Sequence, residues 1–125
     1  MPALTRERMQ LGQRGEQLAL EAVKRVGYQP IHLNYRCPLG ELDLIAKDGD
    51  TLVFIEIKTR SAGDTGPAKE AVDRRKQRRL SRLALNYLKT HGGLDTRSRF
   101  DVVAVGLSED QPKIEIVKNA FELLY

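Results

Sequence analysis

Within the stretch GELDLIAKDGDTLVFIEIKTRS, residues 40–61, four side chains could do chemistry together: Glu41, Asp43, Glu56 and Lys58. They lie in two apolar runs joined by Asp48-Gly49, a strong two-residue hairpin signal. Side chains alternate along a strand, so Leu52, Phe54, Glu56, Lys58 and Arg60 share one face, and Val53, Ile55, Ile57 and Thr59 the other. With Asp48-Gly49 as the turn, Ile45 is expected opposite Leu52, Asp43 opposite Phe54 and Glu41 opposite Glu56. Asp43 and Glu56 then become diagonal neighbours about 7–8 Å apart. Two carboxylates at that distance can close on one cation, and three crowded on an apolar sheet repel one another unless something positive sits between them. One ammonium cannot neutralise Glu41, Asp43 and Glu56, whereas a divalent ion that prefers oxygen ligands can. The competing account is a salt bridge of Lys58 with Glu56 or Asp43 at a strand end.

A fifth residue adds to these. Glu16 lies on the small and apolar stripe Gly12, Gly15, Ala19, Ala22, Val23 and Val26 of the first helical segment, so it projects toward the sheet and not from the solvated face. Glycines at 12 and 15 are expected to let this helix approach closely. The bland alternative is a rim glutamate reaching past small residues to water.

The elements that must position these residues follow from periodicity and turn signals. A helix is expected from about Thr5, as N-cap, to Val26, with Gly27 as its stop. A strand follows over Ile31–Arg36, where Pro30 limits it to a beginning or an edge position. The hairpin comes next, then the loop SAGDTGPA, then a second helix from Pro67 to about Thr90. FDVVAVGL and KIEIVK read as two further strands, and NAFELLY as a short final helix. The order is αβββαββ. It implies an α/β fold, one domain over residues 1–125, with a mixed sheet flanked by helices.

Composition narrows the function classes. A chain of 125 residues has no apolar run near the roughly 20 needed to span a bilayer, and its N-terminal MPALTRERMQ lacks the apolar stretch of a secretory signal. No membrane association and a cytoplasmic location are therefore expected. Cys37 is the only cysteine, which excludes an internal disulfide and a thiolate zinc cluster. The formal charge of +4 fits a polyanionic partner. DRRKQRRLSR, residues 73–82, concentrates that charge, with Arg75, Arg78, Arg79 and Arg82 spaced to form one basic ridge on a helix. A phosphate backbone is its expected partner, against the alternative of a solvated helix face. Arg36, Arg60 and Lys76 are further candidates for nucleic-acid contact. Aromatic residues are few and no base-reading motif is visible, so shape is expected to matter more than sequence. His32 and His91 show no ligand spacing.

Asp43, twelve residues, then Glu56-Ile57-Lys58 resembles the D-(x)n-(D/E)-x-K motif of the PD-(D/E)xK nuclease superfamily. More closely, GQRGEQLA, NYRCPLGELDLIAKDGDTLVFIEIKTRS, KEAVDRRKQRRL and RFDVVAV resemble the YraN family of small bacterial proteins, which are similar to archaeal Holliday junction resolvases. The resemblance runs from Gly12 to Val105. It implies a restriction-endonuclease-like fold and a Mg²⁺- or Mn²⁺-dependent endonuclease site acting on branched or structured DNA. In that site Asp43 and Glu56 hold metal, Lys58 positions or activates the attacking water, and Glu16 completes the set from the first helix. Glu41 matches the family's G-E-x-D pattern as an auxiliary ligand. Leu42 stands where the superfamily has its proline. Junction resolution implies a symmetric homodimer, because a four-way junction carries paired cleavage points. The alternative function is a non-catalytic nucleic-acid-binding protein that keeps the fold and acts through partners.

Overall fold

The structure, a computed structural model, describes residues 6–61, 72–93, 95–107 and 111–123. The expected N-cap Thr5, the helix start at Pro67 and nearly all of the loop SAGDTGPA lie outside the described residues.

Helix α1 spans Arg6–Arg25. It ends where Gly27 takes φ 97°, with Tyr28 N–H donating to the Val23 carbonyl and Gly27 N–H to that of Lys24. This is the Schellman arrangement, which needs a left-handed residue at that point. Its packed stripe is narrower than the sequence suggests. Gly15, Ala19 and Val23 are buried, but Gly12 and Val26 are exposed and Ala22 is half-buried. A methyl group on Gly15 would overlap Thr59 Oγ1, whereas Gly12 faces open space. Only the first of these two glycines lets the helix approach the sheet.

Strands β1 (Gln29–Cys37), β2 (Gly40–Asp48) and β3 (Thr51–Ser61) follow. Helix α2 (Arg74–Tyr87) continues into a π-helical turn at Leu88–Gly92, and β4 (Ser98–Leu107) and β5 (Lys113–Phe121) complete the sheet. The strands lie in the order β1-β2-β3-β4-β5, with β3 and β4 parallel and the other neighbours antiparallel. A parallel pair needs a crossover, and α2 lies on that connection. Pro30 sits near the start of edge strand β1, as its missing N–H requires.

Each face of the sheet carries a core. Ala19 and Val23 of α1 pack on Leu44, Ala46, Val53, Ile55, Val103 and Val105. Leu80, Leu83, Ala84 and Tyr87 of α2 pack on Leu42, Ile45, Leu52, Phe54, Phe100 and Val102. The expected αβββαββ order and mixed, helix-flanked sheet are thus present. Among the described residues the expected final helix is not. NAFELLY instead begins inside β5, where Asn119 takes φ 52°, its N–H donates to Asp101, and Phe121 stacks on Phe100 with ring centroids 4.5 Å apart. Pairing with β4 satisfies the backbone there and overrides a weak local helical pattern.

The hairpin register also differs from expectation. Asp48 pairs with Thr51, so the turn is Gly49-Asp50 and lies one residue further along. Every partner shifts by two residues, which leaves each β3 side chain on its expected face because the strand period is two. The paired ladder ends at Leu44 and Ile55. Here β2 breaks alternation: Leu42 joins the α2-side core with Ile45, while Leu44 joins the α1-side core. Beside this irregularity Asn34 of β1 takes φ 57°.

Candidate functional site

The break in β2 positions Asp43. Its Oδ2 accepts the N–H of Ile57 at 2.8 Å, so a side chain takes up a β3 donor just beyond the paired ladder. Its carboxyl group lies beside Glu56, close enough for the charge of one to act on the other. Burial, followed by the negative charge of Glu56, pushes the Asp43 carboxyl up to about 7, against the opposing pull of the Ile57 N–H. Glu56 is only 8 % exposed, at the end of the apolar face built by Leu52 and Phe54.

The cation at this pair is not Lys58. Lys76, in the first turn of α2, places Nζ 2.5 Å from Glu56 Oε1. Lys58 is exposed and makes no ion pair among the described residues. The salt bridge of Lys58 with Glu56 or Asp43, the competing account of these charges, does not form among the described residues, and the ion pair comes from a helix far along the chain instead. Asp73 caps α2 by accepting the Lys76 backbone N–H at 2.8 Å, which fixes the base of the side chain.

Glu16 and Glu41 form a second, separate pair. Asn34, in the amide orientation that satisfies its neighbours, donates to Glu41 Oε1 at 3.0 Å and Glu16 Oε1 at 3.1 Å. Arg36 Nε lies 3.3 Å from Glu41 Oε2 on the exposed side, so it offsets the charge of Glu41. The expected crowding of Glu41, Asp43 and Glu56 on one face does not occur, because the irregularity at Asp43 turns Glu41 toward Asn34 and Glu16. Among the described residues no three His, Cys, Asp or Glu gather closely enough to hold a metal ion as they stand. Asp43 and Glu56, two hard oxygen donors with more negative charge than Lys76 offsets, are the pair whose chemistry suits Mg²⁺ or Mn²⁺.

The basic ridge is present on α2. Arg75, Arg78, Arg79 and Arg82 are exposed and, with Asp73 and Lys76, line an open groove of about 580 Å³. Lys76 belongs to both places, lining the groove while its ammonium contacts Glu56. Arg60, near the end of β3, is half-buried.

Three features escaped the sequence reading. Asn34 bridges two glutamates from a left-handed backbone position inside β1, and no local sequence pattern signals it. Buried Asp101 accepts from Tyr28 Oη at 2.7 Å and Arg99 Nε at 2.9 Å, and Arg99 continues to Asp48 Oδ2 at 2.8 Å. Burial, with the Asp101 hydrogen bond, raises the Tyr28 phenol, and the hydrogen bond to Asp101 raises the Arg99 guanidinium further still. This network ties the start of β1 and the hairpin turn to β4. The RFD order within RFDVVAV was its visible trace. Lastly, His32, Tyr35, Tyr87 and His91 converge, with His91 stacked on Tyr87 at 4.3 Å, so both histidines serve an aromatic cluster.

A mixed five-stranded sheet between two helices, with a carboxylate pair, half-buried Asp43 and buried Glu56, where β2 and β3 part, is consistent with the nuclease-like α/β class. The family follows from comparison: residues 15–105 match the model of the uncharacterised protein family UPF0102, and the chain belongs to that family, also called YraN. It is 49% identical over 116 residues to a UPF0102 protein of Geobacter sulfurreducens, covering 92% of this chain and 91% of the relative. A UPF0102 protein of Geobacter metallireducens is 45% identical over 115 residues, covering 92% and 94% of the two chains. One from Syntrophus aciditrophicus is 44% identical over 119 residues, covering 95% and 94%. Among the described residues no helix is long and apolar enough to cross a membrane.

Proposed function

We propose that the protein is a Mg²⁺- or Mn²⁺-dependent endonuclease acting on branched or otherwise structured DNA. The observation that carries this reading is the Asp43–Glu56 pair, half-buried at Asp43 and buried at Glu56, mutually repulsive and adjacent through Lys76 to a groove lined by four arginines. A pair held at such electrostatic cost, with Asp43 raised to about 7, serves structure poorly and cation binding well. Asp43 and Glu56 would hold the ion, and a bound divalent ion supplies polarisation of the phosphodiester and acidification of water.

The chain's own residues do the rest. The Ile57 N–H orients Asp43 through Oδ2, leaving its other oxygen for a ligand. Arg75, Arg78, Arg79 and Arg82 bind successive phosphates along the groove and hold the backbone in register. Lys58, exposed and on the face of Glu56, reaches the scissile phosphate from the solvent side as an electrostatic stabiliser. Glu16 and Glu41, bridged by Asn34, flank the site and orient water.

A second reading, binding without cleavage, is favoured by one observation: Glu16 and Glu41 stand apart from the Asp43–Glu56 pair, so a full ligand set is not assembled. Cleavage assays on duplex, flap, single-stranded and four-way DNA, with Mg²⁺, Mn²⁺ or EDTA, separate the two. Metal-dependent cutting that vanishes in Asp43→Asn and Glu56→Gln supports the endonuclease. Tight structure-selective binding with no cutting under any ion supports the binder.

A further inference from the structure

We propose that Lys76 is an exchangeable counter-ion: a divalent ion entering between Asp43 and Glu56 displaces its ammonium, which then turns into the adjoining groove and takes a phosphate. This rests on the metal-binding reading of the carboxylate pair and adds a coupling between metal loading and nucleic-acid affinity.

Three observations lead there. First, Lys76 is the cation that touches the pair, through Glu56 Oε1, and its side chain remains 30% exposed while that of Glu56 is 10% exposed. The ammonium therefore sits at the mouth of the site and not behind it. Second, Lys76 also lines the groove with Arg75, Arg78, Arg79 and Arg82. Its backbone is pinned by the Asp73 cap, so a change of partner needs only side-chain torsions, which an unbranched four-carbon stem allows. Third, the charges decide the direction. A divalent ion binds the pair with both carboxylates ionised, and these two charges already balance it, so an ammonium that stayed would leave an excess of one and sit against the ion. Departure of Lys76 removes both the excess and the repulsion. In the groove it meets four arginines, where only an anionic phosphate makes its stay favourable. Metal and phosphate thereby favour each other's binding, and thermodynamic linkage makes the effect reciprocal.

The test uses Ca²⁺ as the probe ion and a short DNA duplex as the phosphate ligand, with affinity measured by fluorescence anisotropy across a salt series. In EDTA, wild type and Lys76→Met are expected to show the same salt slope, because Lys76 is held by Glu56. In saturating Ca²⁺ the wild-type slope should exceed that of Lys76→Met by about 0.9, the value of one duplex phosphate contact. Calorimetric titration of Ca²⁺ into free protein runs alongside. If wild type takes up no Ca²⁺, the metal-site reading itself fails and the exchange with it. If Ca²⁺ binds but the two slopes stay equal, or if Lys76→Met already loses about 0.9 in EDTA, the exchange alone is overturned. Should Lys76→Met not fold, the wild-type Lys76 side-chain NMR signal, assigned by its loss in the charge-conserving Lys76→Arg, gives the same answer. It should move on Ca²⁺ saturation, and an unmoved signal overturns the proposal.

Discussion

Replacing Asp43 with Asn removes one charge from the buried pair while keeping its shape, and its effect on stability should depend on pH in a defined way. The Asn oxygen can still accept the Ile57 N–H, and its amide can donate to Glu56 as a protonated Asp43 would. In the unfolded chain the carboxyl titrates near 3.8, and in the folded protein near 7. Because the folded value is the higher, the folded state holds a proton that the unfolded state has released between those values. Stability must therefore fall as pH rises through that window, and the whole penalty is present above about pH 7. A displacement from 3.8 to about 7 corresponds to a ceiling of about 4 kcal/mol. Partial solvent access to Asp43 and compensation by Lys76 reduce this to about 1–3 kcal/mol. For a chain of this size that is a rise in Tm of roughly 5–10 °C. Thermal melts in EDTA should thus show Asp43→Asn matching wild type near pH 4 and melting higher by that amount at pH 8. Adding Mn²⁺ at pH 8 should raise the wild-type Tm and leave the variant unmoved, since only the intact pair gains from the ion. A difference between the two proteins that is the same at pH 4 and pH 8, or a variant that melts below wild type at pH 8 in EDTA, would refute the repulsive-pair argument.

The basic ridge should behave as a sequence-blind phosphate surface: Arg75→Ala, Arg78→Ala and Arg79→Ala combined should weaken binding to unrelated duplexes alike and flatten the salt slope by up to about 0.9 per lost contact. Anisotropy titrations check this, and melts should barely change because all three side chains are exposed. Gly15→Ala drives a methyl group into Thr59 Oγ1 and should cost about 1–3 kcal/mol by urea unfolding, with Thr59→Ala recovering part of the loss. Asp101→Ala removes the buried acceptor shared by Tyr28 Oη, Arg99 Nε and the Asn119 N–H while Asp48 still holds Arg99, so a loss of about 2–4 kcal/mol is expected by the same measurement. Nucleic-acid binding measured well below the variant's melting temperature should remain, since this network lies away from the groove.

How much of this was legible beforehand depended on the range of the interactions. Helix α1, its Gly27 stop, the three consecutive strands and the face carrying Leu52, Phe54 and Glu56 all follow from local periodicity and turn chemistry. Their causes lie within a few residues. Displacement of the turn to Gly49-Asp50 could not change which β3 side chains face α2, because a two-residue register shift preserves parity. The carboxylates at 43 and 56 were visible for the same reason, and like charges brought together away from water must share a cation or take up a proton.

What tertiary structure alone decided was the partner of each charged group. Alternation predicts Glu41 beside Asp43 and Glu56, but the break at Asp43 faces Asn34, whose left-handed backbone and pairing across β1 redirect Glu41 to Glu16. Lys58 is two residues from Glu56, yet Lys76 neutralises it, because packing of Leu80, Leu83 and Ala84 on the sheet sets the height at which the first turn of α2 meets the middle of β3. NAFELLY has no strand signal strong enough to stand alone, and its first residues become strand because β4 offers unpaired backbone and Asp101 offers an acceptor to Asn119. Sequence spacing specifies which residues share an element and a face. Which charge meets which is set by the long-range packing of two helices on the two faces of one sheet, and no local pattern encodes that distance.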